Sequence, residues 1–215
     1  MRKRLSLMII CVLAIIVAVG AVLVVKTMRE PRVASYSVRA ASAEIVPVGA
    51  DASDSELTDY VRLIISVMAD RDFAALSGAV HEELGVMFSP YSTISLTGDC
   101  RFTASQIADF RNDTKKYIWG VYDVGGDLIN MTPTEYFDEF VFDAEFTSCE
   151  NFGVDKILRS GNALENVSEV FPNARFVDCY MPGTSDSDWK ILRLVFEEKD
   201  GFLYLTAIVH SEYTI

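Results

Sequence analysis

The chain has 215 residues, half of them hydrophobic, and a formal net charge of −12 at pH 7. Its basic residues gather at the start, so that from residue 33 onward 13 Lys+Arg face 30 Asp+Glu, a net of −17. A surface of that sign repels phosphate backbones and anionic headgroups, which argues against nucleic acid as a partner, and the length suits one domain rather than two.

Residues 1–4 are a short tail carrying Arg2, Lys3 and Arg4, and Leu5 to Val25 follow as 21 residues without a charge. As a helix rising about 1.5 Å per residue, this run crosses a hydrocarbon layer of about 30 Å. A cleaved signal peptide has a shorter apolar run ending at small residues. Ala18-Val19-Gly20 imitates such an end, but Ala21 to Val25 prolong the run. Cys11 lies mid-segment with no small residue before it, which suits lipidation poorly. The expectation is a retained single-pass membrane anchor at 5–25. Lys26, Arg29 and Arg32 balance the three basic residues ahead of the span, so the short tail decides: N-terminus cytoplasmic, remainder extracytoplasmic. Residues 26–53 lack an apolar period and read as a stalk.

The folded domain is expected over residues 54–215 as α+β, helices first and then a mostly antiparallel sheet. Asp54, Ser55 and Glu56 cap and charge the start of a helix whose apolar positions, Leu57, Val61, Ile64, Ile65 and Met68, recur at helical spacing up to Arg71-Asp72. A second helix is expected over 73–83 and a bent strand over 85–96. A third helix spans 103–111, and a fourth opens on the Thr132 to Glu135 capping box with Pro133 at its first position. Residues 156–159 and 174–180 read as short strands. The turn-rich stretch 182–188 leads into the clearest element, Trp189 to Ile215, two long strands joined at Asp200-Gly201. A two-residue turn pairs Lys199 with Phe202. It puts Leu192, Leu194, Phe196, Leu205, Ala207 and Val209 on one apolar face, and Arg193 and Val195 with Thr206, Ile208 and His210 on a mixed reverse face.

Catalytic signatures are absent: no GxSxG, no HExxH, no phosphate-cradling loop with a lysine. Gly125-Gly126-Asp127 reads as a turn. The four cysteines, Cys11, Cys100, Cys149 and Cys179, contain no CxxC pair, so zinc and thioredoxin-like readings fail. The three in the domain allow at most one bridge, and buried free thiols are the simpler alternative. No metal site and no cofactor are expected.

Several stretches together resemble the nuclear-transport-factor-two-like (SnoaL-like) fold: the early helical pair, the Arg71-Asp72-Phe73-Ala74-Ala75-Leu76 connection, the mid-chain helices and the long C-terminal strands. Within it, His81, Gly85-Val86, Phe88-Ser89-Pro90-Tyr91, Trp119-Gly120, Tyr122-Asp123, Tyr136-Phe137, Asp143, Asp188-Trp189 and Leu192 to Phe196 look like a family of uncharacterised bacterial secreted or membrane-anchored proteins. The resemblance covers about residues 55–215 and implies a cone-like curved antiparallel sheet. It implies no reaction.

Each candidate ligand-binding residue also suits a simpler role. His81 and His210 are the only histidines, the usual acid–base groups near neutral pH, although each also suits a hydrogen-bonded structural role. Parity puts His210 beside Arg193, a fixed cation for a carboxylate ligand unless an internal acid claims it. Tyr91, Trp119 and Tyr122, with Phe88 and Tyr136, line a pocket or form core. Asp123 and Asp143 serve as bases if burial raises their pKa, and as turn or cap residues otherwise. Asn112, Asn130 and Asn166 begin N-x-S/T sequons. The functional expectation is a membrane-anchored extracytoplasmic domain binding a small ligand or protein partner. An enzyme using an apolar pocket for acid–base chemistry or hydrolysis is the alternative, and a sheet-to-sheet homodimer a third possibility.

Overall fold

The computed structural model describes residues 45–213. The expected tail, the anchor at 5–25 and the stalk up to residue 44 lie outside the described residues, among which no helix is long and apolar enough to cross a membrane. The end of the expected stalk is no spacer. Ile45 is 3% exposed, and Val48–Gly49 form a strand, β1, paired with the last strand of the chain. The packed unit therefore starts before residue 54, because Ile45 and Ala52 bury apolar surface that an aperiodic stretch does not advertise.

Helix α1, Asp54–Ala69, opens on a capping box in which Ser53 and Glu56 satisfy each other's backbone N–H, and its buried stripe is the expected one widened by Tyr60 and Val67. Helix α2, Phe73–Ser77, stops six residues short of the expected end. The chain leaves it to run beside the sheet, where Val80 bridges Leu205 and the His81 N–H donates to Leu205 O at 3.0 Å. Strands β2, Val86–Ser89, and β3, Cys100–Phe102, precede α3, Ala104–Ala108, which starts on a capping box at Thr103. An unexpected hairpin follows: β4, Tyr117–Val121, and β5, Leu128–Met131, form a separate two-stranded sheet. Its turn contains Gly125 and Gly126 at positive φ, as expected. Helix α4, Pro133–Tyr136, begins at the predicted box and passes into one π-turn, Phe137–Val141, then a 3-10 turn, Phe146–Ser148. Strand β6 is Asn151–Val154, ended by Asp155 at φ 51, so residues 156–159 are not the expected strand. Helix α5, Val167–Val170, and strands β7, Arg175–Met181, β8, Lys190–Lys199, and β9, Phe202–Glu212, complete the order.

The main sheet is curved and seven-stranded, ordered β3-β2-β9-β8-β7-β6, with β1 also on β9; β2 runs parallel to β9 and the other pairs are antiparallel. The architecture is α+β, as expected. At the hairpin tip Asp200 and Gly201 have φ 53 and 84, the conformation the Asp-Gly turn requires, and Lys199 pairs with Phe202 as predicted. Beyond Phe196↔Leu205 the register shifts, Val195 facing Ala207 and Leu194 facing Ile208, so that Thr206 is a bulge residue. One extra residue reverses the facing of everything after it on β9. This overturns the facing expected for β9 beyond Leu205. Leu192, Leu194, Phe196 and Leu205 share their face with Ile208 and His210, whereas Ala207 and Val209 lie on the other with Arg193 and Val195.

Both faces are buried. The first packs on α1, the α4–π segment and the aromatic residues Phe88, Phe102, Phe110, Trp119 and Phe137. The second is a smaller apolar layer of Met87, Phe176, Val195, Ala207 and Val209, covered by Ile94 and by Val167 and Phe171 of the 157–174 segment. The Asn166 side chain clasps that segment down, accepting from Ile94 N–H at 2.8 Å and donating to Ile94 O at 2.9 Å. The Asn166 amide, which a sequon would offer to a glycan, is engaged by the Ile94 backbone.

Candidate functional site

The bulge separates the two residues on which the site expectation turned. Arg193 pairs with Val209 on the second face, while His210 pairs with Leu192 on the first. Arg193 is fully buried. Its Nε donates to Asp178 Oδ1 at 2.6 Å, Nη2 to Asp178 Oδ2 at 3.1 Å, and Nη1 to Glu165 Oε2 at 2.6 Å. Burial alone would lower its pKa, but the two carboxylates reverse that and hold it above the ordinary arginine value. Of the two readings open for Arg193, the internal ion pair is the one seen: a bidentate pairing with Asp178 and a further bond to Glu165, with the guanidinium fully buried.

His210, equally buried, ends at the rim of the first face. Its Nδ1 lies 3.1 Å from Pro90 O and its Nε2 lies 3.2 Å from Asp143 Oδ2. Both partners are oxygen acceptors, so the ring is held between the Pro90 carbonyl and the Asp143 carboxylate. Lys190, opposite Glu212 in the β8–β9 ladder, adds its ammonium to Asp143 Oδ2 at 2.8 Å and bonds Glu212. Burial pushes the Asp143 carboxyl up, yet the bonds from His210 and Lys190 outweigh it and leave it below the ordinary aspartate value. Burial likewise depresses Lys190, and Asp143 and Glu212 together raise it above the ordinary lysine value. Donor atoms of Asp143, His210 and Glu212 lie within 4.8 Å of one another, a spacing a metal ion accepts, but the Lys190 ammonium already bridges the two carboxylates. Asp143 is therefore held as an anion and is not the raised-pKa base that burial alone would make.

Tyr91, Tyr122 and Asp123 gather near the same rim. The Asp123 N–H donates to Tyr91 Oη at 3.2 Å, and Tyr122 donates its hydroxyl to Glu139 Oε1 at 2.7 Å. Both rings pack on Phe140, which also meets His210 edge-on at 5.9 Å between centroids. Burial and the Glu139 carboxylate push the Tyr122 phenol up to about 12. Trp119 is core: it stacks on Tyr136 at 3.9 Å and donates Nε1–H to Met131 O at 2.9 Å. Of the two readings open for the aromatic set, core is the one seen for Phe88, Trp119 and Tyr136, with Tyr91 and Tyr122 partly buried against it. His81 is structural too, its Nδ1 accepting from the N–H groups of Glu83 at 3.2 Å and Leu84 at 3.1 Å.

The sequence reading missed Lys190 and Glu212, and it missed the β4–β5 hairpin. The hairpin presents Ile118, Val121, Val124 and Leu128 at 54%, 47%, 68% and 57% exposure, with Asp123 and Asp127 exposed between them. Its inner positions, Trp119 and Ile129, anchor it in the core. The available signal was the alternation from Tyr117 to Val121, weakened by the irregularity between Ile118 and Gly120. A cleft of about 200 Å³ also lies elsewhere, lined by Arg71, Phe73, Arg111, Thr134 and Asp138. Its cations are committed: Arg71 pairs with Asp138 at 2.6 Å and Arg111 donates to Arg71 O at 2.9 Å.

No family model matches the chain, and no curated protein matches it. Among solved structures, the chain is similar to a domain of unknown function with a cystatin-like fold from Nostoc punctiforme PCC 73102, at 10% identity and a TM-score of 0.34, covering 76% of this chain and 81% of that one.

Proposed function

We propose that the chain is a membrane-tethered, extracytoplasmic binding domain, built on the cone-like frame its sequence suggests, that docks a protein partner through the β4–β5 hairpin. The observation that carries this reading is the run of four exposed apolar side chains, Ile118, Val121, Val124 and Leu128, on a hairpin that stands apart from the main sheet. Contiguous exposed apolar surface rimmed by polar residues marks an interaction site in soluble domains. The rim is acidic, with Asp123, Asp127 and Glu139 exposed beside the hairpin, so the matching surface is apolar with a basic border. Binding is favoured over catalysis because the aromatic interior is filled and both His210 ring nitrogens already face protein acceptors.

The test places a photo-crosslinkable residue at Val124 of the full chain in intact cells of its source. The expected result is a discrete adduct on illumination that is lost when Leu128→Asp is added. An absence of adduct above that seen from a control position such as Glu169 rejects the reading.

A further inference from the structure

Cys149 and Cys179 are far apart in sequence and converge in the fold, outside every site described above. Cys179 sits in β7 opposite Phe152 of β6, and Cys149 ends the 3-10 turn that leads into β6. The Phe146 carbonyl ties them together, accepting from the Cys149 N–H at 3.1 Å and facing Cys179 Sγ at 4.0 Å. Cys149 Sγ in turn lies 3.7 Å from the carbonyl of Tyr180, the neighbour of Cys179, and 3.4 Å from that of Asn151. Both are buried free thiols. Arg62 covers the pair from α1, donating Nη1–H to Cys149 O at 3.2 Å with its guanidinium 4.3 Å from the Phe152 ring centroid.

We infer that Cys149 and Cys179 are a redox-active pair that closes to an intramolecular disulfide by exchange with a disulfide oxidant, locking the β6 edge of the sheet to β7. Cys149 is the attacking sulfur. The neighbouring Cys179 thiol holds it below the ordinary thiol value against the pull of burial, Arg62 adding positive potential, while the same proximity pushes Cys179 up. Cys149 loses its proton and its thiolate attacks one sulfur of the oxidant's disulfide, whose other sulfur leaves as a thiolate. Cys179 then loses its proton and attacks the Cys149 sulfur, expelling the oxidant's remaining thiolate. The protein gives up two protons and two electrons, and the oxidant's disulfide becomes a dithiol. Because both thiols are covered in the folded domain, exchange takes place as the chain folds or when the β6 edge opens. The bridge closes a loop of about 30 residues, which constrains the unfolded chain.

The purified full-length chain in detergent is denatured, refolded in a buffer of reduced and oxidised glutathione, then unfolded without reductant and alkylated with N-ethylmaleimide. The expected result is that Cys149 and Cys179 resist alkylation and emerge after proteolysis as one linked peptide pair, while Cys11 and Cys100 are alkylated. The melting temperature of this form should exceed that of the dithiothreitol-treated form by about 10 °C. That difference should vanish in Cys149→Ala and persist in Cys100→Ala. Alkylation of all four cysteines, a bridge to Cys100, or glutathione adducts in place of the linked pair overturns the inference.

Discussion

Removing the Arg193 guanidinium would strand the carboxylates of Asp178 and Glu165 in a part of the sheet that excludes water. Breaking a buried pair from one side costs far more than the pair contributes, because the remaining charge has no solvent to return to. Arg193→Met should therefore lower unfolding stability in urea by about 3–5 kcal/mol. Adding Asp178→Leu and Glu165→Met should recover most of it, since an apolar triad of similar volume is about neutral. Asp143 gives a complementary, pH-dependent test. Its native pKa lies below the unfolded one, so its stabilisation is complete above the ordinary aspartate value of about 3.9 and is lost as pH falls through the native value. Lys190, raised in the native state, contributes fully below the ordinary lysine value and loses its share as pH rises through its native pKa. Asp143→Asn should thus be less stable than the parent near neutrality, and the urea midpoints of the two should converge in acid. A constant offset at all pH values would refute this role. At this scale the sequence identified Arg193, His210 and Asp143 as residues of consequence, but their partners depend on register.

That register hangs on one residue. Alternation along β8 predicts its facing correctly, with Leu192, Leu194 and Phe196 on the first face. On β9 the same rule holds from Phe202 to Leu205 and is inverted afterwards, because Thr206 has no opposite number. A straight two-residue hairpin sets Lys190 against Ser211 and His210 against Ile191; the bulge moves them to Glu212 and Leu192, which creates the Lys190–Glu212–Asp143–His210 cluster. Nothing in Leu205-Thr206-Ala207-Ile208 announces this, since all four residues suit either face of a doubly covered sheet and are all buried. Two opposite changes to the ladder separate the bulge from the facing it sets. Deleting Thr206 removes the bulge and leaves every pair in place, so the chain should still fold, at a cost of about 1–3 kcal/mol from lost curvature and packing. Inserting Ala between Val195 and Phe196 also straightens the ladder, but it turns the rest of both strands over and exchanges Leu194 and Ile208 for Arg193 and Val209 in the main core. That chain should not fold. Circular dichroism and urea melts distinguish the two, and equal behaviour would mean that the bulge does not set the facing.

Across the whole molecule, what was readable followed from local chemistry: the capping box at Thr132, the α1 stripe, and the Asp200-Gly201 turn. What was not readable arises from distant partners, namely the strap held by Asn166, the projecting hairpin, and the true start of the domain. The start is the easiest of these to put to trial. Composition sets the boundary at residue 54, yet the preceding residues are tied in at four points. Ile45 packs in the main core, β1 pairs with β9, Ser53 caps α1, and the Ala52 carbonyl accepts from Arg175 Nη1 at 2.7 Å. Burying an isoleucine is worth about 1.5–3 kcal/mol and an N-cap about 1 kcal/mol. A chain beginning at Asp54 should therefore be less stable to urea than one beginning at Ser42 by about 2.5–4 kcal/mol. Restoring only Ala52 and Ser53 should return the cap's share and the Arg175 bond, leaving the Ile45 share missing. If chains beginning at 42 and 54 melt alike, residues 45–53 are a spacer after all. If they differ as argued, Arg175 explains the coupling: the same guanidinium that holds Ala52 also pairs with Asp54 at 2.7 Å and Asp155 at 2.9 Å. Entry of the chain, start of α1 and end of β6 then loosen together when residues 45–53 are removed.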